Sequence, residues 1–448
     1  MVSAPTLIAL LVLSIFLLVF FIARLKMHAS IALILSSLAL GLATRIPLDK
    51  LVSTLEDGIG STLSYLALIM AFGGVLGKML DDSGGAEQIA RTLLRKAGKH
   101  NAAWVMAGIG FIVGIPIFSD VGFILMVPLV AVIAKNAGMS RMKIGVPLLV
   151  SLHAIHCIVP PHPAATAVTE ILHADIGKVI MTGMPLALLC ALLATSYIVF
   201  ITRLTPASSL LADEVIAGPH QNVSDSELPG FGITLLTILM PLVFMVSKTL
   251  LLAILPAGNP LRPLFDFLGN PFTALLISVI FAYWSLGLAR GKKLGELSFL
   301  TGNSYRQIAN VMLIIGSGGA FNAVITASGI SHTLGMMIGE LPVSPIILAW
   351  LLTGLIHLAV GSATVAMLGS SAIILPLLQS NPALNPVAMT IAIGSGGLGF
   401  VQFTDSLIWL GKEYLGLSLA NALKSISVAT MIASLIGLSG ALLLQYVF

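Results

Sequence analysis

The chain has 448 residues, 57% of them hydrophobic and only 9% charged, with a mean hydropathy of +1.06. A soluble domain carries about a quarter charged residues, so this composition excludes a water-soluble fold of this size, a disordered or collagen-like chain and a nucleic-acid binder. The 43 Gly and 22 Pro suit closely packed, interrupted transmembrane helices, and the formal charge of +4 matters through where its charges fall.

A helix needs roughly 20 residues to cross about 30 Å of hydrocarbon. In chain order, clean spans are predicted at 4–23, 28–44, 59–76, 179–201, 231–251, 271–288, 309–327 and 423–447. The first lacks a basic leader and a small-residue cleavage pattern, which predicts a retained helix rather than a signal peptide. Longer apolar stretches at 102–134, 144–172, 343–378 and 386–410 do not read as single helices. Cys157 and Cys190 both lie inside apolar runs and are expected to be packing residues.

Lys and Arg in short loops mark the cytoplasmic side. They gather at Arg24 and Lys26, at Lys78, Arg91, Arg95, Lys96 and Lys99, at Lys135, Arg141 and Lys143, and at Arg290, Lys292, Lys293 and Arg306. If the second and third groups are both cytoplasmic, 102–134 enters and leaves on one side and is a hairpin. The stretch 329–342 has no Lys or Arg and one acid, Glu340. The polar stretch 205–229 is the natural boundary between halves, which divides the chain into N-terminal helices (1–58), a first repeat (59–204), the connection (205–229), linking helices (230–304) and a second repeat (305–448).

The two halves align in order. "IMAFGGVLGKML", a short amphipathic segment and "GIPIFSDVGFILMVPLV" match "LIIGSGGAFNAVI", another such segment and "VGSATVAMLGSSAIILPLL". A basic loop follows the opening helix of one copy and a base-free loop that of the other, which predicts opposite orientations. Inverted repeats with broken helices are a transporter plan.

Within "SLHAIHCIVPPHPAATAV", His153 and His156 share a helical face, and Pro160, Pro161 and Pro163 then stop the helix. Such a break survives at depth only against protein or water; the plainer alternative is a surface loop with incidental histidines. Asp120 is the sole acid between Lys99 and Glu170. An ionisable residue at depth reads as functional, although it or Ser119 could instead cap the following helix. In the second half, Asn322 follows one glycine cluster, and Gln402, Thr404, Asp405 and Ser406 follow another. These clusters suit either anion binding by backbone or small-residue helix packing. His357 is expected to be a packed hydrogen-bonding residue. HExxH, GxSxG and a phosphate-binding Gly-rich loop are all missing from the sequence, which argues against an enzyme.

From end to end the chain resembles the gluconate permease family, the bacterial gluconate:proton symporters and their relatives. The resemblance is carried above all by "EDGIGSTLSYLALIMAFGGVLGKMLDDSGGAEQIA", "GIPIFSDVGFILMVPL" and "HAIHCIVPPHPAA". It implies an all-α polytopic membrane protein, an inverted-repeat transporter with broken helices and re-entrant hairpins, the second hairpin falling at 343–378. It also implies inner-membrane uptake of a sugar acid with protons, needing no cofactor or metal. Gluconate is the expected substrate, with fructuronate, L-idonate and D-serine as alternatives; the wider group is often dimeric. Besides the bilayer, the expected partners are thus a sugar-acid anion, protons and, left open, a second copy. For binding, Ser119, Asn322, Thr404 and Ser406 are candidates for the sugar acid. Asp120 is the leading proton carrier, followed by His153, His156 and Asp405, with His162 of the proline run in the same set.

Overall fold

A computed structural model describes residues 4–98, 101–204, 228–256, 258–330, 333, 343–402 and 404–446. Among these residues every regular element is helical, as hydrocarbon demands of a chain that must satisfy its own backbone. Eight helices are long and apolar enough to cross a bilayer. Nearly all of the connection expected at 205–229, and most of the second amphipathic segment with Glu340, lie outside the described residues.

The chain opens with α1 (Ala4–Val19), extended by a π turn at Phe20–Arg24, and α2 (Ala29–Ala43). Next comes α3 (Leu48–Asp82), whose partner is α13 (Leu294–Ala327). Both are far longer than the apolar windows at 59–76 and 309–327 suggested. Lys, Glu and Asp end a hydropathy window without ending a helix, since Lys and Glu are good helix formers. The two helices cross antiparallel with backbones nearly touching: a Cβ on Gly58 would lie 2.6 Å from the Gly319 carbonyl oxygen, and one on Gly319 2.4 Å from that of Gly58. Only glycine permits this approach. At the far end Lys292 Nζ pairs with Asp82 at 2.6 Å.

After the amphipathic α4 (Gly85–Ala97), α5 (Ala102–Val113) and α6 (Ser119–Ala137) form the first hairpin. The 12 residues of α5 rise about 18 Å, too little to cross. The next crossing is split into α7 (Arg141–Ile158) and α8 (Pro163–Ile171), and α9 (Ile176–Leu204) returns. Then follow α10 (Phe231–Ile254), α11 (Arg262–Leu268) and α12 (Pro271–Ala282), the last running on through a π turn to Arg290 before α13 begins. Beyond α13, α14 (Pro345–Val360) and α15 (Ala363–Ser380) make the second hairpin. A second split crossing, α16 (Pro386–Leu398) and α17 (Ser406–Leu415), precedes α18 (Leu419–Leu444).

Contacts between loops agree with the charge pattern. On the side marked by bases, Leu415 packs on Gly145, and the Tyr197 hydroxyl donates to the Lys424 carbonyl at 2.7 Å. On the other side the Thr249 hydroxyl donates to Asp175 at 3.1 Å, and the Asn385 N–H to Gln445 Oε1 at 3.1 Å. The first hairpin therefore enters from the cytoplasmic side and the second from the opposite one. Because α7 is enclosed almost entirely by other helices, its polar groups meet protein rather than lipid, whose contact falls to exposed side chains such as Phe16, Ile254 and Ile280.

Candidate functional site

The two hairpin tips, the second helix break and the helix that leads into the first break meet around one cavity of about 480 Å³, within the usual range of roughly 300–1,000 Å³ for small-ligand sites. Three helix N-termini line it. Ser119 and Asp120 come from the start of α6, Ala363 and Thr364 from the start of α15, and Ser406 and Leu407 from the start of α17. Each such end carries about half a positive charge, and among the described residues no Lys or Arg lines the cavity. Half-helix N-termini are a recurrent means of holding an anionic substrate in a transporter.

The ends differ in how they are capped. Asp405 caps α17, its Oδ1 accepting from the Leu407 N–H at 2.7 Å, and Ser362 caps α15, accepting from Val365 at 3.4 Å. At α6 the N-cap is Phe118, with no side-chain bond. Neither Ser119 nor Asp120 serves as that cap, so the structural alternative for Asp120 does not apply.

Asp405 is almost fully buried and reaches across to α14, where its Oδ2 lies 2.6 Å from His357 Nε2. The other ring nitrogen, Nδ1, lies 2.8 Å from the Gly399 carbonyl oxygen, which can only accept, so Nδ1 carries a proton. The short Nε2–Oδ2 contact then requires one more proton, on the ring or on the carboxyl. Without it two lone pairs would face each other. The pair is therefore a proton-holding unit that also bolts the second hairpin to the second break.

Asp120 is held more loosely. It is only partly buried, receiving Ser119 Oγ at 3.3 Å and, from across the cavity, Ser406 Oγ at 3.4 Å. These are long bonds for hydroxyl donors.

The histidines form a file from the His357–Asp405 pair to the first break. The rings of His153 and His156 stack at 6.1 Å between centroids, His156 meets His162 edge-on at 5.0 Å, and His153 lies 6.4 Å from His357. His162 Nε2 donates to the Gly114 carbonyl, tying the first break to the first hairpin tip. Residues 159–162 are all buried, which rules out the surface-loop alternative. Cys157 Sγ sits 3.7 Å from His153 Nε2, and Cys190 Sγ donates to the Ala433 carbonyl at 3.1 Å; both thiols are free and buried.

Of the residues singled out from sequence, Ser119, Asp120, His153, His156, Asp405 and Ser406 line the cavity. His162 stands behind His156. Asn322 and Thr404 do not belong to the wall: Asn322 Oδ1 is buried without a partner in α13, and the Thr404 hydroxyl donates to the Leu358 carbonyl at 3.0 Å. Thr404 instead holds the second tip, since a Cβ on Gly361, at φ +71°, would lie 2.1 Å from its carbonyl oxygen. His357, read as a packing residue, is one and also the partner of Asp405. Asn310, Ser362 and Thr364 were not anticipated. Ser362 could have been, because its motif aligns with that of Ser119. Among the described residues no three His, Cys, Asp or Glu side chains converge as a metal site.

The sequence matches the model of the GntP family permease over residues 6–447. The chain belongs to that family. This GntP permease is 40% identical over 447 residues to the D-serine transporter DsdX of Escherichia coli (strain K12), covering 98% of each chain. It is 39% identical over 424 residues to the high-affinity gluconate transporter of the same strain, covering 95% of this chain and 96% of that one. In fold it is similar to MtrF of Neisseria gonorrhoeae, described as one of a class of antimetabolite efflux pumps, with a TM-score of 0.61, 15% identity and coverage of 95% and 96%. The GntP permease is a multi-pass inner-membrane transporter and not an enzyme.

Proposed function

We propose that this permease takes up gluconate, or a closely related sugar acid, together with protons. One observation carries the reading: a cavity walled by three helix N-termini and two aspartates, with no Lys or Arg among its described residues. Helix N-termini attract a carboxylate, whereas an ionised Asp120 beside it repels one. Anion and proton therefore bind better together than apart, and that linkage is the coupling free energy a symporter needs. Asp120, with its long bonds, is the exchangeable proton site, while the bonded His357–Asp405 pair is part of the frame. Ser119, Ser406, Ser362 and Thr364 supply hydroxyls for a polyol. His28 Nε2, in the loop carrying Arg24 and Lys26, contacts Asn310 Oδ1 at 2.6 Å on the cavity rim, so in this reading the described conformation faces the cytoplasm. The repeats at 59–204 and 305–448 supply one hairpin and one broken helix each, and their relative movement exposes the cavity to the other side.

A second reading is uptake of D-serine, favoured by the 40% identity to a D-serine transporter. There the substrate ammonium would pair with an ionised Asp120, and coupling would not need its protonation. Uptake of labelled gluconate into proteoliposomes, with and without an inward proton gradient, tests the main reading. Gradient-dependent accumulation of unmodified gluconate, not displaced by D-serine, is expected. Accumulation of D-serine alone would replace it with the second.

A further inference from the structure

A second polar pocket, of about 200 Å³, lies where α8 ends, against α10 and the start of α12. Since α7 starts from a basic loop and α7–α8 together cross the membrane, this pocket is on the face opposite that loop. Its polar wall includes Thr166, Thr169, Glu170, Asp175 and Lys248. Most of these groups have partners. Lys248 Nζ pairs with Asp266 at 2.6 Å, Thr169 donates to the Ala165 carbonyl at 2.6 Å, and Asp175 accepts from the Lys178 N–H at 2.8 Å as well as from Thr249.

Two groups are different. The Glu170 carboxyl has no hydrogen bond or ion pair among the described residues, with His173 as its charged neighbour, and the Thr166 hydroxyl is buried with no partner. A buried unpaired hydroxyl costs about 1–3 kcal/mol unless water reaches it. His162, Thr166 and Glu170 are spaced i, i+4, i+8, so they form one stripe along α8. At its inner end, the His162 Nε2–H is committed to Gly114 and leaves Nδ1 as the free acceptor. His156, whose ring is 5.0 Å from that of His162, keeps its own Nδ1 buried and unpartnered while the same side chain lines the substrate cavity.

We infer that α8 carries a proton-access route separate from the substrate opening, running from the pocket at Glu170 past Thr166 to His162 and His156 and so into the cavity. The ligand of the outer pocket is water and the proton it delivers. Glu170 takes a proton from a hydronium ion in that water, leaving neutral water, a water held by Thr166 passes it to His162 Nδ1, and the imidazolium releases the same proton to His156. Each step moves one proton between existing lone pairs and returns the donor to its starting form. The charged and titratable groups around the stripe are Asp175, Lys248 and His173 at the outer end, and His153, Asp120 and the His357–Asp405 pair at the inner end. The inference rests on the proton-coupled reading above and adds where the proton enters.

The test uses the full-length protein in liposomes containing a trapped pH dye. Two rates are read: gluconate-dependent acidification under an inward proton gradient, and exchange of labelled for unlabelled gluconate at equal pH, which needs no net proton movement. Glu170→Gln and the near-isosteric Thr166→Val are expected to slow acidification about tenfold or more, leaving exchange within about twofold. Thr166→Ser restores the rate, since it restores only the hydroxyl. Unchanged acidification in both variants, or exchange falling as far as acidification, overturns the route. If the unsubstituted protein exchanges gluconate without acidification, the proton-coupled reading falls and the route with it.

Discussion

The two hairpin–break pairs occupy equivalent places in opposite orientations, yet they are built to different standards of rigidity. In the second half the tip is two residues, Gly361 and Ser362, with glycine in the left-handed region and serine capping α15. Asp405 caps α17 and grips His357, which grips Gly399. In the first half the tip runs from Gly114 to Phe118, neither α6 nor α8 has a side-chain cap, and Asp120 hangs on two long bonds. Asp120, His153, His156 and His162, beside the cavity and the first break, belong to this looser half. The lesson is a division of labour in packing: the second half is a tightly capped and bonded frame, and the first holds its polar groups more loosely.

The comparison breaks most visibly at His357. His357→Ala strands a buried carboxylate, and losing one partner of such a pair costs about 3–5 kcal/mol. A large drop in the detergent-solubilised protein's thermal midpoint is expected, whereas an unchanged midpoint would show that the second half is no stiffer than the first. Asp120→Asn should do the reverse. Folding is expected to stay near normal while gradient-driven uptake falls about a hundredfold, roughly 2.7 kcal/mol. In the proposed reading, uptake by the unsubstituted protein is expected to rise as external pH falls, because protonation of Asp120 would remove its repulsion of the anion; in Asp120→Asn that rise should flatten. A pH profile unchanged by the substitution would move the coupling proton elsewhere. The smallest effect is expected from Gly361→Ala, which forces a positive φ and a contact with the Thr404 carbonyl, at about 1–3 kcal/mol. It should lower stability while leaving the slope of uptake against pH unchanged, and a changed slope would give the second tip a part in coupling.

Much of this plan is legible in the sequence because membranes make crude rules strong. Bases on both sides of 102–134 force a hairpin, three prolines after His156 force a break, and a lone Asp120 in an apolar run demands water or a partner. The pairing of His357 with Asp405 was not legible. The two residues are 48 apart on different helices, and nothing local distinguishes a histidine that packs from one that shares a proton. Asn322 and Thr404 sit in glycine-rich stretches as inviting as that of Ser406, yet only Ser406 reaches the cavity, because which face of a helix turns inward depends on what its neighbours bury.

By itself, then, the sequence determined that this chain lives in a bilayer, which loops stay with the bases, where helices must stop and that its halves run in opposite directions. These follow from solvation of charge and of backbone, which act residue by residue. Tertiary structure alone decided that both tips, the second break and the helix before the first converge on one cavity, that its anion-attracting elements are three helix ends, and that Glu170, Thr166, His162 and His156 align with it from the opposite face. Those are matters of close packing. Glycine contacts such as Gly58 against Gly319 set how near the helices come, and no single segment carries that distance.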